Sequence, residues 1–383
     1  MLTVLVLDGM LRKSLELCRE LGRDNVRVLC AEATHIYPSR FSRYVERAFT
    51  YPHPVTNADG FLDWLRRTVH RHAVDVVIPT DDDTVSLLAA RKPEAVAALL
   101  PPAAAFLRLR DKGEAAKLMR ESGVRHPDTV VPGGPDEVPE AIDRLGLPVV
   151  IKPRISAGSR GLRIAHSLDE AVRGYREVAS QFPKPLLQHY VRPGPRYDIG
   201  LLFGEGGRLT TSFVWRELRQ YPLHGGPSTL AQGVVRDDLV ETVLPLFSAV
   251  GWTGPAQVDG QIDGETGEFH VIEINPRYWE SLHVARRNGI HFGAAHVALA
   301  LGHAEPPQPA PSGALGRSFL PFDLLAYLAD PERSRWNPSF RESLQVGDDL
   351  LDREDWGPAF GFGLFVLRHA FDTSMWRTAL RLG

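Results

Sequence analysis

The chain opens on Leu2-Thr3-Val4-Leu5-Val6-Leu7, an almost unbroken apolar run closed by Asp8-Gly9, the pattern of a short strand buried on both faces. From Leu11 to Leu21 the apolar positions recur at helical spacing, and Val26 to Leu29 returns to strand character. A second helical pattern, Phe61 to Arg71, leads into the strand run Val74 to Pro79. The segment up to Pro101-Pro102 therefore predicts β-α-β units forming a small open parallel sheet. Further on, Leu147 to Ile151 is an apolar run of the buried-strand kind that ends at Lys152. Later, the stretch from Val258 to Arg277 predicts two strands joined by a Gly-rich turn, a hairpin with Asp259 on its first run and Glu273 and Asn275 on its second. Near the end, Ala359 to Leu367 is apolar and aromatic, but its nine residues fall short of the roughly 20 that cross a bilayer. Docking onto the core or contact with a membrane surface are its two readings.

Prolines mark the divisions. Pro101-Pro102 closes the first unit, residues 1–102, and the linker-like stretch Pro306 to Gly313 separates a C-terminal extension, residues 306–383. Between them the chain divides into 103–185 and 186–305. A length of 383 residues suits two or three domains. Composition is ordinary for a globular enzyme, with 43% hydrophobic and 24% charged residues. A net charge of −3 gives no basic surplus for nucleic acid. Only Cys18 and Cys30 are present, too few for a disulfide framework, and no signal-like segment opens the chain. The expected setting is the cytoplasm.

The hairpin carries the most informative chemistry. Asp259 lies on its first strand, while Glu273 and Asn275 on the second are two residues apart and so share a face. Three hard oxygen ligands converge, a set suited to Mg²⁺, or Mn²⁺ in its place. Arg277 follows at the same spacing, placed to hold an anion beside the metal. The competing reading is an ordinary hairpin with a solvated acidic edge. Lys152, at the end of its apolar strand, is placed at an interior cleft. In the loop Ser156-Ala157-Gly158-Ser159-Arg160-Gly161, small residues let backbone N–H groups approach phosphate. Two cofactor motifs are missing: Asp8-Gly9-Met10 lacks the Gly-x-Gly-x-x-Gly turn of a dinucleotide site, and no Walker A pattern occurs. Thr80 to Asp83, following a strand, is either a ligand-facing loop or an acidic helix start.

Glu273-Ile274-Asn275-Pro276-Arg277, with Asp259 upstream, resembles the metal-binding signature of the ATP-grasp superfamily. The other elements follow in that family's order: Arg110-Asp111-Lys112, Val149 to Pro153 with Lys152, the 156–161 loop, and Leu187-Gln188-His189-Tyr190-Val191. The resemblance covers residues 103 to 305. It implies two α+β lobes clasping ATP, preceded here by the Rossmann-like parallel-sheet domain. It also implies phosphate contacts from Lys112, Lys152, Ser156, Gly158, Ser159 and Gly161, and an adenine-contacting hinge at Gln188, His189, Tyr190 and Val191. His189 departs from the family's usual Glu, and Arg196 stands where an acidic ribose contact is common, with Asp198 as its replacement. Gly225-Gly226-Pro227-Ser228 resembles a family loop near the transferred phosphate, so Gly226, Ser228 and Arg277 are the implied catalytic residues. Arg216 and Arg219, taken singly, are expected at the surface or paired with Glu217, and His224 is a candidate base.

The activity implied is an ADP-forming ligase that activates a carboxylate as an acyl phosphate and joins it to an amine, both small molecules. The alternatives are a kinase or a ligase with a thiol or hydroxyl nucleophile, and a non-catalytic nucleotide-binding regulator. The expected assembly is a monomer or homodimer.

Overall fold

The opening runs fold as read. The computed structural model describes residues 1–156, 158, 160–223 and 225–369. Its first unit comprises β1 (Thr3–Val6), α1 (Arg12–Arg23), β2 (Arg27–Glu32), β3 (Val45–Thr50), α2 (Ala58–His72), β4 (Val76–Ile78) and α3 (Asp82–Arg91). The sheet is parallel, in the order β3-β2-β1-β4. Val4, Leu5 and Val6 are fully buried, as a strand covered by helices on both faces must be. The sequence reading missed β3, an edge strand whose exposed Glu46 and Arg47 break the apolar pattern.

Asp8 follows β1 with φ 61°, and its carboxylate organises the far side of the sheet. Oδ2 accepts from the backbone N–H groups of Thr80 and Asp81, both at 2.8 Å, and from Thr84 Oγ1 at 2.7 Å. Asp8 therefore satisfies the start of α3, while Asp81 at the N-cap makes no side-chain cap. The acidic cluster at 81–83 is left for other work.

After α4 (Ala103–Arg110) and α5 (Lys112–Glu121) comes the smaller lobe. It is built from β5 (Thr129–Val130), α6 (Val138–Leu145), β6 (Val149–Lys152), β7 (Arg163–Ala165), α7 (Leu168–Ala179) and β8 (Leu186–His189). The order β5-β8-β6-β7 is antiparallel throughout. The division drawn after residue 185 cuts this sheet, because β8 pairs with both β5 and β6. α6 and α7 cover it with Val138, Ala141, Ile142, Tyr175 and Val178.

The larger lobe continues with β9 (Arg196–Phe203), β10 (Leu209–Gln220), β11 (Ser228–Val234), α8 (Asp237–Ala249), β12 (Gly254–Ile262), β13 (Phe269–Asn275), α9 (Leu282–Arg287), α10 (Phe292–Ala300) and β14 (Leu315–Arg317). Its sheet runs β13-β12-β9-β10-β11-β14. β14 belongs to the C-terminal extension, which thus supplies the last strand of this sheet. The extension ends in α11 (Leu324–Ala329), α12 (Phe340–Ser343) and α13 (Gly357–Arg368).

One apolar core spans the first unit and the larger lobe. Val4, Val6, Leu17 and Leu21 pack in the same cluster as Trp215, Tyr278, Trp279 and Phe292. Trp215 and Trp279 stack at 5.4 Å between centroids. Polar contacts along α1 fix the arrangement: Glu20 accepts from Ala294 N at 2.9 Å, and Arg19, fully buried, pairs with Asp355 at 2.9 Å. The apolar tail segment is helical and docks against Phe41, whose ring meets Phe360 edge-on at 5.8 Å. Among the described residues, no helix is long and apolar enough to cross a membrane.

Candidate active site

The hairpin brings its three polar residues together. Asp259 on β12 stands directly opposite Glu273 on β13, and Asn275 opposite Gln257. Asn275 Nδ2 donates to Asp259 Oδ2 at 3.2 Å and to Gln257 Oε1 at 3.0 Å, while Gln257 Nε2 donates to Asp259 Oδ1. Arg277 Nη2 donates to Asn275 Oδ1 at 3.3 Å, and its Nε pairs with Asp82 at 3.2 Å. Burial raises the Asp259 pKa to about 6, and the neighbouring Glu273 carboxylate adds to the rise. The next strand brings up Asp198, itself pushed well above its ordinary range by burial, Glu217 and Asp259. Asp259 and Glu273, two hard-oxygen carboxylates on one strand pair with the Asn275 carboxamide beside them, have the donor chemistry a hard divalent cation takes, although Lys112 is already paired with Glu273.

The phosphate-binding candidates meet this face. Lys112 opens α5, whose start is capped by Asp111 through Gly113 N at 2.9 Å. Its Nζ reaches Ser156 O at 2.8 Å and Glu273 Oε1 at 3.1 Å. Lys152 Nζ donates to Ile272 O at 3.3 Å, and burial lowers its pKa to about 8, with Glu273 acting the other way. Lys112 is thus ion-paired with Glu273, while Lys152, arriving from β6, feels the charge of the same carboxylate without an ion pair to it. Ser156, Gly158 and Arg160 border the same cleft of about 530 Å³, together with Asp198, Asp259, Glu273, Asn275 and Arg277. Gly158 and Gly161 hold φ of 66° and 75°, where glycine is favoured. Ser159 and His224 lie outside the described residues.

The turn between β10 and β11 forms another wall, with Gly225, Gly226 and Ser228 at the cleft. A Cβ on Gly226 would lie 2.1 Å from the Tyr221 carbonyl, so only glycine fits. Ser228 Oγ is hydrogen-bonded to the Leu230 carbonyl at 3.2 Å. Arg219 is not at the surface. It is buried, ion-paired with Asp323 at 3.1 Å and covered by the Trp336 ring, because the extension folds over this end of the strand. Arg216 is exposed, and Glu217 pairs instead with Arg196 at 2.6 Å.

The hinge candidates are placed differently. Gln188 Nε2 donates to Thr129 Oγ1 at 2.9 Å, His189 Nδ1 is hydrogen-bonded to the Leu145 carbonyl at 2.9 Å, and Val191 is buried. None of Gln188, His189, Tyr190 and Val191 lines the cleft that holds the lysines. Asp198, read as a ribose contact, sits beside Asp259 instead, because β9 pairs with β12 in that register. The sequence reading did not single out Lys13, Trp279, Glu280, Gln257 or Glu217, all of which line the cleft. Gln257 was recoverable, since it lies two residues before Asp259 on the same strand face. Lys13 was not, because it arrives from a different domain.

No family model matches the chain. Over 179 residues, 44% of this chain, it is 24% identical to the carbamoyl phosphate synthase large chain, C-terminal section, of Methanopyrus kandleri, of which it covers 33%. It spans at most a third of the length of that protein and of two further large chains of the same enzyme. Biotin carboxylase from Campylobacter jejuni, solved as a complex with an ATP analogue, superposes with a TM-score of 0.67 at 14% identity, covering 81% of this chain and 73% of that one. L-amino acid ligase from Bacillus licheniformis superposes with a TM-score of 0.58 at 17% identity, covering 78% and 74%. The fold is that of the ATP-grasp enzymes.

Proposed function

We propose that the protein is an ATP-dependent, ADP-forming ligase that activates a carboxylate as an acyl phosphate and couples it to an amine. The observation that carries this reading is that Lys112, ion-paired with Glu273, and Lys152 line one cleft with Asp259, Glu273, Asn275 and Arg277. Lys112 and Lys152 hold the triphosphate as point charges. Asp259, Glu273 and Asn275 would hold Mg²⁺, which would supply positive charge against the phosphate oxygens. Arg277, fixed by Asp82 and Asn275, orients the substrate carboxylate for attack on the γ-phosphorus through its planar guanidinium. The resulting acyl phosphate is shielded by the 156–161 loop and by the Gly225–Ser228 turn, and a neutral amine displaces the phosphate.

The same reading places the protein in the cytoplasm, in keeping with two buried, unbridged thiols, Cys18 and Cys30. It takes a monomer or homodimer as the working form, and the exposed Trp356, Phe360 and Leu367 as a surface for peripheral membrane contact. Light scattering and co-flotation with anionic vesicles check these two points. The activity is tested by incubating the protein with ATP, Mg²⁺ and mixed pools of carboxylic acids and amines, then following nucleotides and product masses. ADP together with a condensed product is expected. AMP formation, or nucleotide turnover without any condensed product, contradicts the reading.

A further inference from the structure

The first unit reaches the reaction cleft with its own charged groups. α1 contributes Lys13, and the β4–α3 junction contributes Asp81 and Asp82; with Arg277, Trp279 and Glu280 they line one end of the cleft. Lys13 is 1% exposed, yet among the described residues its one hydrogen bond runs to the Tyr278 carbonyl at 3.2 Å, against the three N–H donors of an ammonium. Its nearest carboxylate oxygen, Glu280 Oε1, stands 3.7 Å away, and the other Glu280 oxygen accepts from Arg12 N at 3.1 Å. Burial lowers the Lys13 pKa and the Arg277 charge lowers it further, while Glu280, Asp81 and Asp82 act the other way. A desolvated ammonium short of acceptors favours an anionic ligand group beside it.

The opposite charge stands alongside. Asp82 is committed to Arg277. Asp81 is not: its backbone N–H is used by Asp8, but among the described residues its carboxylate makes no hydrogen bond or ion pair, and it is not ion-paired with Lys13. Burial raises its pKa, and the charge of Lys13 opposes that rise. Trp279 adds an indole Nε1, itself buried and without a partner, on a ring stacked against Trp215. The cleft end therefore holds one under-used cation and one unpaired carboxylate, fixed on separate elements and not neutralising each other.

We infer that this end of the cleft is the amine subsite, and that the amine it takes is a small zwitterion, an amino acid whose carboxylate lies at Lys13 and whose ammonium lies at Asp81, the carboxylate that accepts one ammonium proton so that the neutral amine attacks the acyl phosphate and inorganic phosphate leaves. The assignment rests on the ligase reading for its chemistry, because it names the nucleophile of that reaction. A simple alkylamine leaves Lys13 without an acceptor, and an amine carrying no anion meets a buried positive charge. A cleft of about 530 Å³ that also takes the triphosphate leaves room for only a small partner. The acyl donor, held by Arg277, is thereby separated from the nucleophile, held by Lys13 and Asp81.

The test uses the full chain and two readouts. Calorimetry on protein saturated with Mg²⁺ and a non-hydrolysable ATP analogue is run with L-amino acids, glycine and β-alanine, and with the matching amides and decarboxylated amines. At least one amino acid is expected to bind tenfold or more tightly than both its amide and its decarboxylated amine. Lys13→Met should erase that preference, Lys13→Arg should restore most of it, and Asp81→Asn should weaken the amino acid without changing affinity for the nucleotide. Circular dichroism and nucleotide affinity report on folding of each variant. Equal binding of an amino acid and its decarboxylated amine, no binding across the panel, or an unchanged preference in Lys13→Met overturns the subsite. A failure of the ligase reading looks different: amino acid binding that depends on Lys13 persists, while no mixture of substrates releases ADP.

Discussion

At the scale of single residues, the site works by holding charges where burial makes them expensive unless a partner arrives. Lys152 is the clearest case, with a pKa lowered from 10.5 to about 8 by burial. Between those values the unfolded chain binds the extra proton and the folded chain does not, so stability of the nucleotide-free protein rises with pH across that window. Urea midpoints measured from pH 8 to 10 should climb in the wild type, and the Lys152-dependent part of the climb should vanish in Lys152→Met. Nucleotide affinity should fall as pH rises through about 8, because a neutral amine no longer attracts phosphate; Lys152→Arg, always charged, should lose that dependence. Glu273→Gln should abolish turnover while leaving the melting temperature within a few degrees of the wild type, since it removes a metal ligand without opening a core cavity. Near-normal turnover in that variant contradicts the assignment of Glu273. These residues were legible in the sequence because strand periodicity sets their spacing: Asp259, Glu273 and Asn275 each sit where a period of two places them on one face. Asp198 obeys the same periodicity, but its partner strand is remote in sequence, so only the β9–β12 register reveals that it joins Asp259.

At the scale of elements, the β10–β11 turn depends on the C-terminal extension. Asp323, wholly buried, accepts from Thr229 Oγ1 at 2.9 Å and pairs with Arg219 at 3.1 Å, while Ser318 N donates to Thr229 O at 2.8 Å. Two of these contacts tie the extension to the strand that begins at Ser228, beside Gly226, and the third ties it to Arg219 on β10. Removing one member leaves a buried guanidinium uncompensated, and Asp323→Asn should cost about 3–5 kcal/mol in chemical denaturation. Gly226→Ala acts differently, forcing a methyl into the Tyr221 carbonyl. It should lower turnover at least tenfold with a smaller effect on nucleotide affinity, measured by steady-state kinetics and calorimetry. The turn was visible in the sequence as Gly225-Gly226-Pro227-Ser228. Its support was not, since Arg219 and Asp323 are far apart in the chain and a lone arginine on a strand gives no sign that a later segment will cover it.

At the scale of the whole molecule, three sheets meet around one cleft, and the first unit is fused to the larger lobe through a shared core around Trp215 and Trp279. The parallel opening and the hairpin could be read from hydrophobic patterning, because each buries local runs. The course of the hinge strand could not be placed from the same pattern: β8 joins the smaller sheet by pairing with two strands distant in sequence. Ser156, Gly158 and Arg160, between β6 and β7, border the cleft, and the amides of residues 156–161 should gain protection from hydrogen exchange when Mg²⁺ and a non-hydrolysable ATP analogue bind, more than amides near Pro309 do. The account as a whole turns on the acyl phosphate. Carboxylic acids enriched with ¹⁸O in the carboxyl group, supplied with ATP, Mg²⁺ and amines, test it directly by mass analysis of the phosphate released. Transfer of one carboxyl ¹⁸O into inorganic phosphate, with ADP as the other product, is the predicted result; unlabelled phosphate, or release of AMP and pyrophosphate, contradicts the account.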